Sequence, residues 1–269
     1  MEPLTAGNSR VKDARKLSRR SVRTERRLFL ADGPKMVVAA LGVPECVIEV
    51  FATPVASSRY ADALAAAPLI TLVDERALAS LSDSVSPAGV VALCRHLDVP
   101  LEDILDGVPR LIAICADVRD PGNAGTVIRT ADAAGAVGMV LAGQSVDLYN
   151  PKTVRASAGS AFHLPIALAS DAAAAVEAAR AAGYTVLAAD GAGEVDLFGA
   201  DLAGPTAWLF GNEARGLSEG LTDLADHRVA IPIHGRAESL NLSTAAAVCL
   251  YASARAQRVR SSSSGRPAH

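Results

Sequence analysis

Three segments in the second half of this chain combine glycine with side chains that donate or accept hydrogen bonds. They are residues 120–129 (DPGNAGTVIR), 209–217 (LFGNEARGL) and 231–242 (IPIHGRAESLNL). Each follows a short apolar run, and the first and third precede helical patterns, so all three can be loops at one edge of a sheet. Loops in that position carry the binding and catalytic residues of many α/β proteins. The sequence therefore predicts one site built from three loops.

The first segment has side chains suited to ribose or phosphate recognition. Gly122 and Gly125 allow a tight turn and a close approach of the backbone to a ligand. Asn123 offers a donor and an acceptor, and Arg129 can donate two parallel hydrogen bonds to a phosphate or a ribose. Alternatively, Asn123 only caps the helix that follows, since many strand–glycine loop–helix units bind nothing.

The other two segments supply a carboxylate and a helix entrance. Glu213 lies just beyond a buried strand end, and Ser239 and Asn241 lead into a helix whose first amides can bond a ligand. Alternatively, Ser239 and Asn241 only cap that helix, and Glu213 and Glu238 are solvated loop acids.

The glycine spacing disfavours a nicotinamide enzyme. That class requires G-x-G-x-x-G directly after a strand. Residues 122–127 read GNAGTV, and Gly191 and Gly193 are not followed by a third glycine. The glycine-rich first loop of Rossmann methyltransferases is missing for the same reason.

Together the three segments resemble the motifs of the SpoU/TrmH family, which transfers a methyl group from S-adenosylmethionine to a ribose 2′-hydroxyl of RNA. The likeness covers roughly residues 110–258 and includes 145–160 (SVDLYNPKTVRASAGS). A weaker likeness covers 10–95, where family members carry a small α/β RNA-recruiting domain similar to a ribosomal protein. The resemblance implies a parallel-sheet α/β (SPOUT) domain with a C-terminal trefoil knot that binds the cofactor. It also implies a homodimer whose site is completed across the subunit interface.

The resemblance also assigns roles to single residues. It makes Arg129 and Asn123 the catalytic residues of the first motif, Glu213 the acid of the second, and Ser239 and Asn241 the polar pair of the third. The backbone of four residues is implied to hold the cofactor: Leu209, Gly211, Ile231 and Leu240. Arg215 varies freely in the family pattern and receives no role.

The family proposal makes the arginine of the first motif the base, but a guanidinium holds its proton so strongly that proton abstraction by it is costly. We therefore expect Arg129 to orient the 2′-hydroxyl and its 3′-phosphate, while the proton passes to phosphate, water or Glu213. No metal is required, because the sulfonium is already an activated methyl donor.

The amino-terminal part has a different charge from the rest of the chain. Residues 10–27 hold nine Lys/Arg and two Asp/Glu, whereas the whole chain has a net charge of −3. This segregation favours a polyanion partner. A helix over residues 10–28 would align the basic side chains at i, i+4 steps; a merely solvated helix face is the alternative. Lys12, Lys16 and Arg20 would share one face of this helix, and Arg15, Arg19, Arg23 and Arg27 the neighbouring one. The predicted RNA-binding residues are Arg10, Lys12, Arg15, Lys16, Arg19, Arg20 and Arg23.

Composition restricts the class of protein. The length of 269 residues suits one large or two modest domains. No apolar stretch is long enough for a transmembrane helix or a secretory signal. Cys46, Cys94, Cys115 and Cys249 are far apart in apolar surroundings, which indicates reduced core thiols rather than a metal site. We expect a cytoplasmic protein.

Apolar runs alternate with helical patterns along the chain, which indicates an α/β fold with a parallel sheet in the second half. The predicted strands are 29–31, 46–51, 69–73, 89–93, 111–116, 138–142, 164–168, 184–188, 206–210 and 228–233. The predicted helices are 34–41, 58–66, 74–81, 126–135, 151–160, 171–182 and 240–258. The predicted domains are a substrate-binding domain (1–97), a linker (98–109), a methyltransferase domain (110–260) and a disordered tail (261–269).

The sequence therefore predicts an RNA 2′-O-methyltransferase that uses S-adenosylmethionine and acts on structured RNA, with 23S ribosomal RNA as the expected substrate and tRNA as the alternative. Two other classes compete with it. A non-catalytic RNA-binding module would explain the basic segment but not three converging polar loops. A methyltransferase acting on small molecules or proteins would not need the basic segment.

Overall fold

The computed structural model describes residues 2–107 and 110–263, with side chains as far as Val259. It divides into two compact units, Met1–Leu97 with Asp147–His163, and Asp98–Val146 with Leu164–His269. This division differs from the predicted domain boundaries in two places. Residues 98–107 belong to the second unit, and residues 147–163 belong to the first.

The first unit contains a four-stranded sheet of order β1-β4-β2-β3, in which β4 runs antiparallel to β1 and β2, and β3 runs parallel to β2. Its strands are β1 (Leu28–Asp32), β2 (Val47–Ala52), β3 (Ile70–Leu72) and β4 (Val90–Arg95). Its first six helices are α1 (Ser9–Arg15), α2 (Arg20–Arg26), α3 (Pro34–Leu41), α4 (Pro54–Arg59), α5 (Ala61–Leu64) and α6 (Glu75–Leu81).

The basic segment is not one helix, so the predicted helix over residues 10–28 is wrong. Helix α1 is followed by a 3-10 turn at Lys16–Ser18, and Arg19 is extended, with φ −92° and ψ 129°. Leu17 in this break is buried. Burial of an apolar side chain and the hydrogen bonds made at the break outweigh the continuation of the helix. The basic residues therefore do not share the face that i, i+4 spacing would give them.

Arg23 is a structural residue. It is only 4% exposed. Its Nε and Nη2 atoms donate to Asp147, and its Nη1 atom donates to the carbonyl oxygens of Leu17 and Ser18, at 2.7 and 2.9 Å. With its guanidinium engaged by protein acceptors, Arg23 does not present a phosphate-binding group, and its assignment to the RNA-binding residues is wrong.

The other six predicted RNA-binding residues fall into two sets. Arg10 pairs with Glu49 at 2.9 Å, and Lys16 pairs with Asp13 at 3.3 Å. Four further basic side chains are exposed: Lys12, Arg15, Arg19 and Arg20.

Residues 147–163 join the first unit through aromatic packing. The Tyr149 ring stacks on His96, with centroids 3.7 Å apart, and lies 4.7 Å from the Phe29 ring. The Tyr149 hydroxyl accepts a hydrogen bond from the Leu97 amide. The segment contains helix α9 (Pro151–Ala156) and a 3-10 turn at Ser160–Phe162, separated by Ala158 and Gly159 with φ of 54° and 106°. The predicted helix 151–160 is therefore shorter than expected.

The second unit contains a seven-stranded sheet in which every strand pairing is parallel, in the order β7-β6-β5-β10-β8-β11-β9. This confirms the predicted α/β class. The strands are β5 (Leu111–Ala116), β6 (Gly138–Ala142), β7 (Ile166–Ala169), β8 (Thr185–Ala189), β9 (Val195–Asp196), β10 (Thr206–Phe210) and β11 (His227–Ala230). The helices are α7 (Leu101–Leu105), α8 (Pro121–Ala134), α10 (Ala172–Ala181), α11 (Glu219–Thr222) and α12 (Leu242–Ser263).

Several boundaries differ from prediction. The expected linker contains α7, whose buried Ile104 leaves no room for a side chain at position 138, because a Cβ there would lie 2.6 Å from Cγ2 of Ile104. Residues 108–109 of that linker lie outside the described residues. Strand β11 ends three residues earlier than predicted. Helix α12 runs to Ser263, and residues 264–269 of the expected disordered tail lie outside the described part of the chain.

Helix α12 is attached to the sheet by two polar side chains. The indole Nε1 of Trp208 donates to Ser253 Oγ at 2.9 Å in the interior. Gln257 Nε2 donates to the carbonyl oxygens of Arg110 and Gly204, where β5 and β10 begin. No helix among the described residues is long and apolar enough to cross a membrane.

Candidate functional site

The first motif forms the start of helix α8 rather than a loop before it. Asp120 caps the helix, because its Oδ1 atom accepts from the Asn123 amide at 2.7 Å, and Pro121 takes the first helical position, where its missing N–H is harmless. Asn123 therefore lies in the first turn, with its side chain free of the capping role. Arg129 lies further along the same helix and is exposed.

Glu213 of the second motif holds the first motif in place. Its carboxylate accepts hydrogen bonds from the backbone amides of Arg119 and Asp120, at 3.1 and 3.0 Å. It also accepts from Asn123 Nδ2 at 3.3 Å. The loop before α8 and the loop after β10 are thus joined at one carboxylate.

Asn123 connects this carboxylate to the third motif. Its Oδ1 atom accepts from Asn241 Nδ2 at 3.1 Å. Asn241 Oδ1 in turn accepts from the Ser243 amide at 2.9 Å and caps α12. Because a carboxylate can only accept, the Asn123 amide must face Glu213, which leaves its oxygen for Asn241. A directed chain of hydrogen bonds, Asn241 to Asn123 to Glu213, therefore ties all three motifs together.

The surroundings of Glu213 keep it ionised. Burial alone would raise its pKa, but the amides of Asp120, Arg119 and Glu213 itself, with the Asn123 side chain, outweigh burial and hold the pKa below its ordinary value. A carboxylate with a lowered pKa is a weak proton acceptor at neutral pH. This argues for Glu213 as a positioning residue and against the expectation that it takes the proton.

A pocket of about 300 Å³ opens beside this hydrogen-bonded chain at the carboxyl ends of β8, β10 and β11. Gly211, Ile231, Ser239 and Leu240 line it, together with Glu213. The sequence expectation for these residues is consistent with the pocket they share. The pocket lies within the range of small-molecule sites, about 300–1,000 Å³.

Only glycine fits at position 211. A Cβ atom there would lie 2.3 Å from the carbonyl carbon of Gly216. The two segments approach because Asn212 and Gly216 exchange backbone hydrogen bonds of 2.9 and 2.8 Å, and Gly216 turns with φ 68°. The bare backbone of Gly211 consequently forms part of the pocket wall.

Leu209, one of the predicted cofactor-binding residues, is not among the residues that line the pocket, and its contact with the cofactor stays a prediction. It lies inside β10, fully buried and paired with Ile114 and Ala188. Its backbone groups serve the parallel ladder and its side chain belongs to the core. The next residue, Phe210, lines the pocket instead.

Sequence reasoning missed the wall contributed by Asp190 and Gly191. Asp190 Oδ2 accepts from Nε and Nη2 of Arg228 at 3.2 and 2.9 Å, and its Oδ1 accepts from the Ala192 amide at 2.9 Å. The glycine pair 191 and 193, which follows strand β8 closely, is the sequence signal for this part of the wall.

The possible metal ligands and two of the cysteines can also be compared with the sequence prediction. Within residues 2–107 and 110–263, no group of three or more His, Cys, Asp or Glu side chains could hold a metal ion. Cys115 and Cys249 are buried, and burial raises the pKa of each to about 12, so neither is a reactive thiolate.

Sequence patterns of known families match both parts of the chain. The SpoU rRNA methylase family matches residues 110–251, which include the three motifs, the pocket and the hydrogen-bonded chain. This chain belongs to the SpoU rRNA methylase family. A second pattern, the MRM3-like substrate binding domain, matches residues 8–92. The family membership confirms the resemblance seen in the sequence.

Similar proteins include characterised members of the SpoU family. The chain is 32% identical over 250 residues to the 23S rRNA (guanosine(2553)-2′-O)-methyltransferase RlmP of Bacillus subtilis, covering 92% of this chain and 96% of that protein. The crystal structure of an AdoMet-bound rRNA methyltransferase from Sinorhizobium meliloti has a TM-score of 0.84 at 36% identity, covering 94% and 97%. The SpoU methyltransferase AviRb of Streptomyces viridochromogenes in complex with AdoMet has a TM-score of 0.83 at 34% identity, covering 94% and 98%.

Proposed function

We propose that this protein transfers the methyl group of S-adenosylmethionine to the 2′-hydroxyl of a ribose in ribosomal RNA, with 23S rRNA as the expected substrate. The observation that best supports this function is the hydrogen-bonded chain Asn241–Asn123–Glu213, which brings the three SpoU motifs together beside one pocket. The similarity to RlmP, a 23S rRNA 2′-O-methyltransferase, over almost the whole of both chains supports the substrate.

The pocket suits S-adenosylmethionine. Phe210, Ile231 and Leu240 offer an apolar surface for an adenine ring, and Gly211 offers a backbone that approaches closely. Carboxylates line the same pocket and can receive hydroxyl and ammonium groups. The AdoMet-bound structures of similar SpoU proteins support this assignment. When bound, the cofactor supplies a methyl group already activated by its sulfonium.

The residues of this chain position the acceptor. Arg129 is exposed on α8 and has no ion-pair partner within the described part of the chain. Its guanidinium can hold the ribose 2′-hydroxyl and the adjacent phosphate with two hydrogen bonds. Asn123 is oriented by Glu213 and Asn241, so a donor and an acceptor stay fixed at the start of α8. Correct orientation alone is worth roughly 7–11 kcal/mol of the barrier.

The 2′-hydroxyl proton leaves to the RNA phosphate or to water. Arginine retains its proton at a pKa above about 12. Glu213 is a weak acceptor because its pKa is lowered. Neither residue needs to change its charge during turnover, so the arrangement performs catalysis by positioning.

We also propose that the protein is a cytoplasmic homodimer and that its C-terminal part forms a trefoil knot around the cofactor. Helix α12 follows the third motif and packs against α8. Tyr251 on α12 is 53% exposed, and we propose that a partner subunit covers it in the dimer. The first unit, with the basic residues Lys12, Arg15, Arg19 and Arg20, is proposed to recruit RNA in the manner of a ribosomal-protein-like domain. The matched substrate-binding pattern supports this role.

The function is tested by mapping 2′-O-methylation across total RNA from cells with and without the enzyme. We expect one ribose in 23S rRNA to lose its methyl group when the enzyme is absent, and to regain it on incubation of that RNA with the purified protein and S-adenosylmethionine. If the methyl group is lost from a ribose in tRNA instead, tRNA is the substrate in place of 23S rRNA. Unchanged RNA, together with no methyl transfer in vitro, would overturn the proposal.

Cofactor binding can be followed through Trp208, the one tryptophan of the chain. Its indole stacks at 6.2 Å and 15° on Phe210, which lines the pocket. Titration with S-adenosylmethionine should therefore change the tryptophan emission, and calorimetry in the presence of a chelator should give the same affinity.

A further inference from the structure

The loop before α8 and the loops of the second and third motifs each carry an exposed arginine that has no role in the proposed reaction. Arg119 precedes the cap of α8, Arg215 lies in the turn after Glu213, and Arg236 lies in the loop before α12. Within the described residues, no ion pair is found for any of the three.

Hydrogen bonds of the site bring the backbones of these loops together. The Arg119 amide donates to Glu213 Oε2 at 3.1 Å. Arg215 lies two residues after Glu213, and its amide donates to Asn212 Oδ1 at 3.2 Å. Arg236 lies two residues before Glu238, which lines the pocket. All three arginines therefore start at the edge of the pocket.

Several acids near these loops already have protein donors, whereas Glu238, two residues after Arg236, is exposed and makes no hydrogen bond or ion pair that the structure describes. Glu213 accepts two backbone amides and Asn123, and Asp120 caps α8. Asp190 pairs with Arg228. Among the described residues, none of these acids forms an ion pair with Arg119, Arg215 or Arg236. Gathering like charges at one edge is unfavourable until an anion binds, and guanidinium groups bind phosphate through two parallel hydrogen bonds.

The basic segment at residues 10–27 differs from these loops, because several of its basic side chains form ion pairs within the protein. There, Arg10, Lys16, Arg23 and Arg26 are paired with carboxylates of the protein itself. Part of the charge that the sequence assigned to RNA is therefore internal to the first unit, whereas the arginines of the three loops remain available.

We propose that Arg119, Arg215 and Arg236 form an arginine rim that binds RNA phosphates on both sides of the target ribose. This inference rests on the proposed function. The rim holds the RNA strand at the pocket, and Arg129 then orients the single ribose that reacts. The rim residues are positioning residues, because they touch phosphates and not the reacting atoms.

The test replaces each rim arginine by Gln, singly and together, and measures equilibrium binding to a 23S rRNA transcript over a range of salt concentrations. Each neutralised phosphate contributes about 0.7–0.9 to the slope of log affinity against log salt. We expect R119Q, R215Q and R236Q each to lower the slope by about that amount. Each should also weaken binding by roughly 1.5–5-fold, the value of an exposed ion pair. The triple variant should lower the slope by about 2–3.

Arg110→Gln is the matched control. Arg110 is exposed and lies just before β5, at the opposite end of that strand from Arg119, so it removes the same charge from the far edge of the sheet. Its slope should equal that of the wild type. Arg→Lys at the rim should keep the slope, since charge is retained, while lowering methyl transfer.

Binding of S-adenosylmethionine, followed by Trp208 emission, should stay within about twofold in every variant and shows that the pocket is folded. The proposal would be refuted if the triple variant kept the wild-type salt dependence of RNA binding, or if R110Q lowered that slope as much as a rim variant does. If the wild type binds RNA with the expected slopes but transfers no methyl group, the proposed function fails while the rim stands.

Discussion

Replacement of Glu213 by Gln tests whether this carboxylate acts by positioning. The carboxylate accepts hydrogen bonds from two backbone amides and from Asn123. A Gln side chain keeps one acceptor oxygen and turns an NH₂ group toward the other donors, so at least one backbone amide loses its partner. A hydrogen bond to a charged group is worth about 1.5–3 kcal/mol and a neutral one about 0.5–1.5. Since the residue is exposed, we expect the lower part of that range, about 1–2 kcal/mol of unfolding free energy at pH 7.

The pH dependence identifies the cause. The pKa of Glu213 is lowered in the folded state, so its contribution to stability is fully present above the ordinary glutamate pKa of about 4.3. It is lost as the pH falls through the lower folded value. The gap in stability between wild type and E213Q should therefore be constant from pH 7 to about 5 and shrink below pH 4.

Urea denaturation followed by Trp208 emission measures that gap. Glu177→Gln is the control, because Glu177 is exposed on α10 and makes no hydrogen bond that the structure describes. A gap that stays the same down to pH 3, or no gap at pH 7, would refute the reasoning. Methyl transfer by E213Q should fall by roughly tenfold or more, at about 1.4 kcal/mol for each factor of ten. The residual activity should keep the pH profile of the wild type, because Glu213 is not the base.

Four further outcomes are expected. Arg129→Ala and Arg129→Lys should both abolish methyl transfer while leaving cofactor affinity within a few-fold. The lysine variant should fail because one ammonium cannot make the two parallel hydrogen bonds of a guanidinium. Near-normal turnover by the lysine variant would show that these two hydrogen bonds are not needed. Gly211→Ala should remove cofactor binding measured by calorimetry, because its Cβ would lie 2.3 Å from the Gly216 backbone, whereas Gly220→Ala, which meets nothing within 4 Å, should leave binding unchanged. Arg23→Gln should lower the unfolding free energy by roughly 3–5 kcal/mol, because Asp147, whose side chain is only 12% exposed, loses its charged partner. Lys16→Gln at an exposed pair should cost less than about 1 kcal/mol, and equal effects of the two substitutions would show that the Arg23–Asp147 pair is not structural. Replacing Lys12, Arg15, Arg19 and Arg20 together by Gln should flatten the salt dependence of RNA binding by roughly three units of slope, and an unchanged slope would make that surface a solvated face only.

The amino-acid sequence alone determined the class of fold and the motifs. Continuous apolar strands separated by helices predict a parallel sheet, and six of the seven strands of the second unit lie close to where they were predicted. The two-residue strand β9 was not predicted. The three motifs were recognisable because glycine, amide and charged residues recur at spacings that packing alone does not require. Local rules were sufficient where the outcome depended on residues a few positions apart.

Tertiary structure decided which of these residues reach the site. The nine basic residues of the leading segment are equivalent in charge pattern, yet Arg23 is buried, because Asp147, far away in the chain, supplies its partner. Leu209 and Phe210 are adjacent apolar residues, and only the position of β10 between β5 and β8 makes one a core residue and the other part of the pocket wall. Asp190 joined the wall through its pairing with Arg228 on a neighbouring strand. Each outcome depends on a contact between residues distant in sequence, and a periodic pattern holds no information about such contacts.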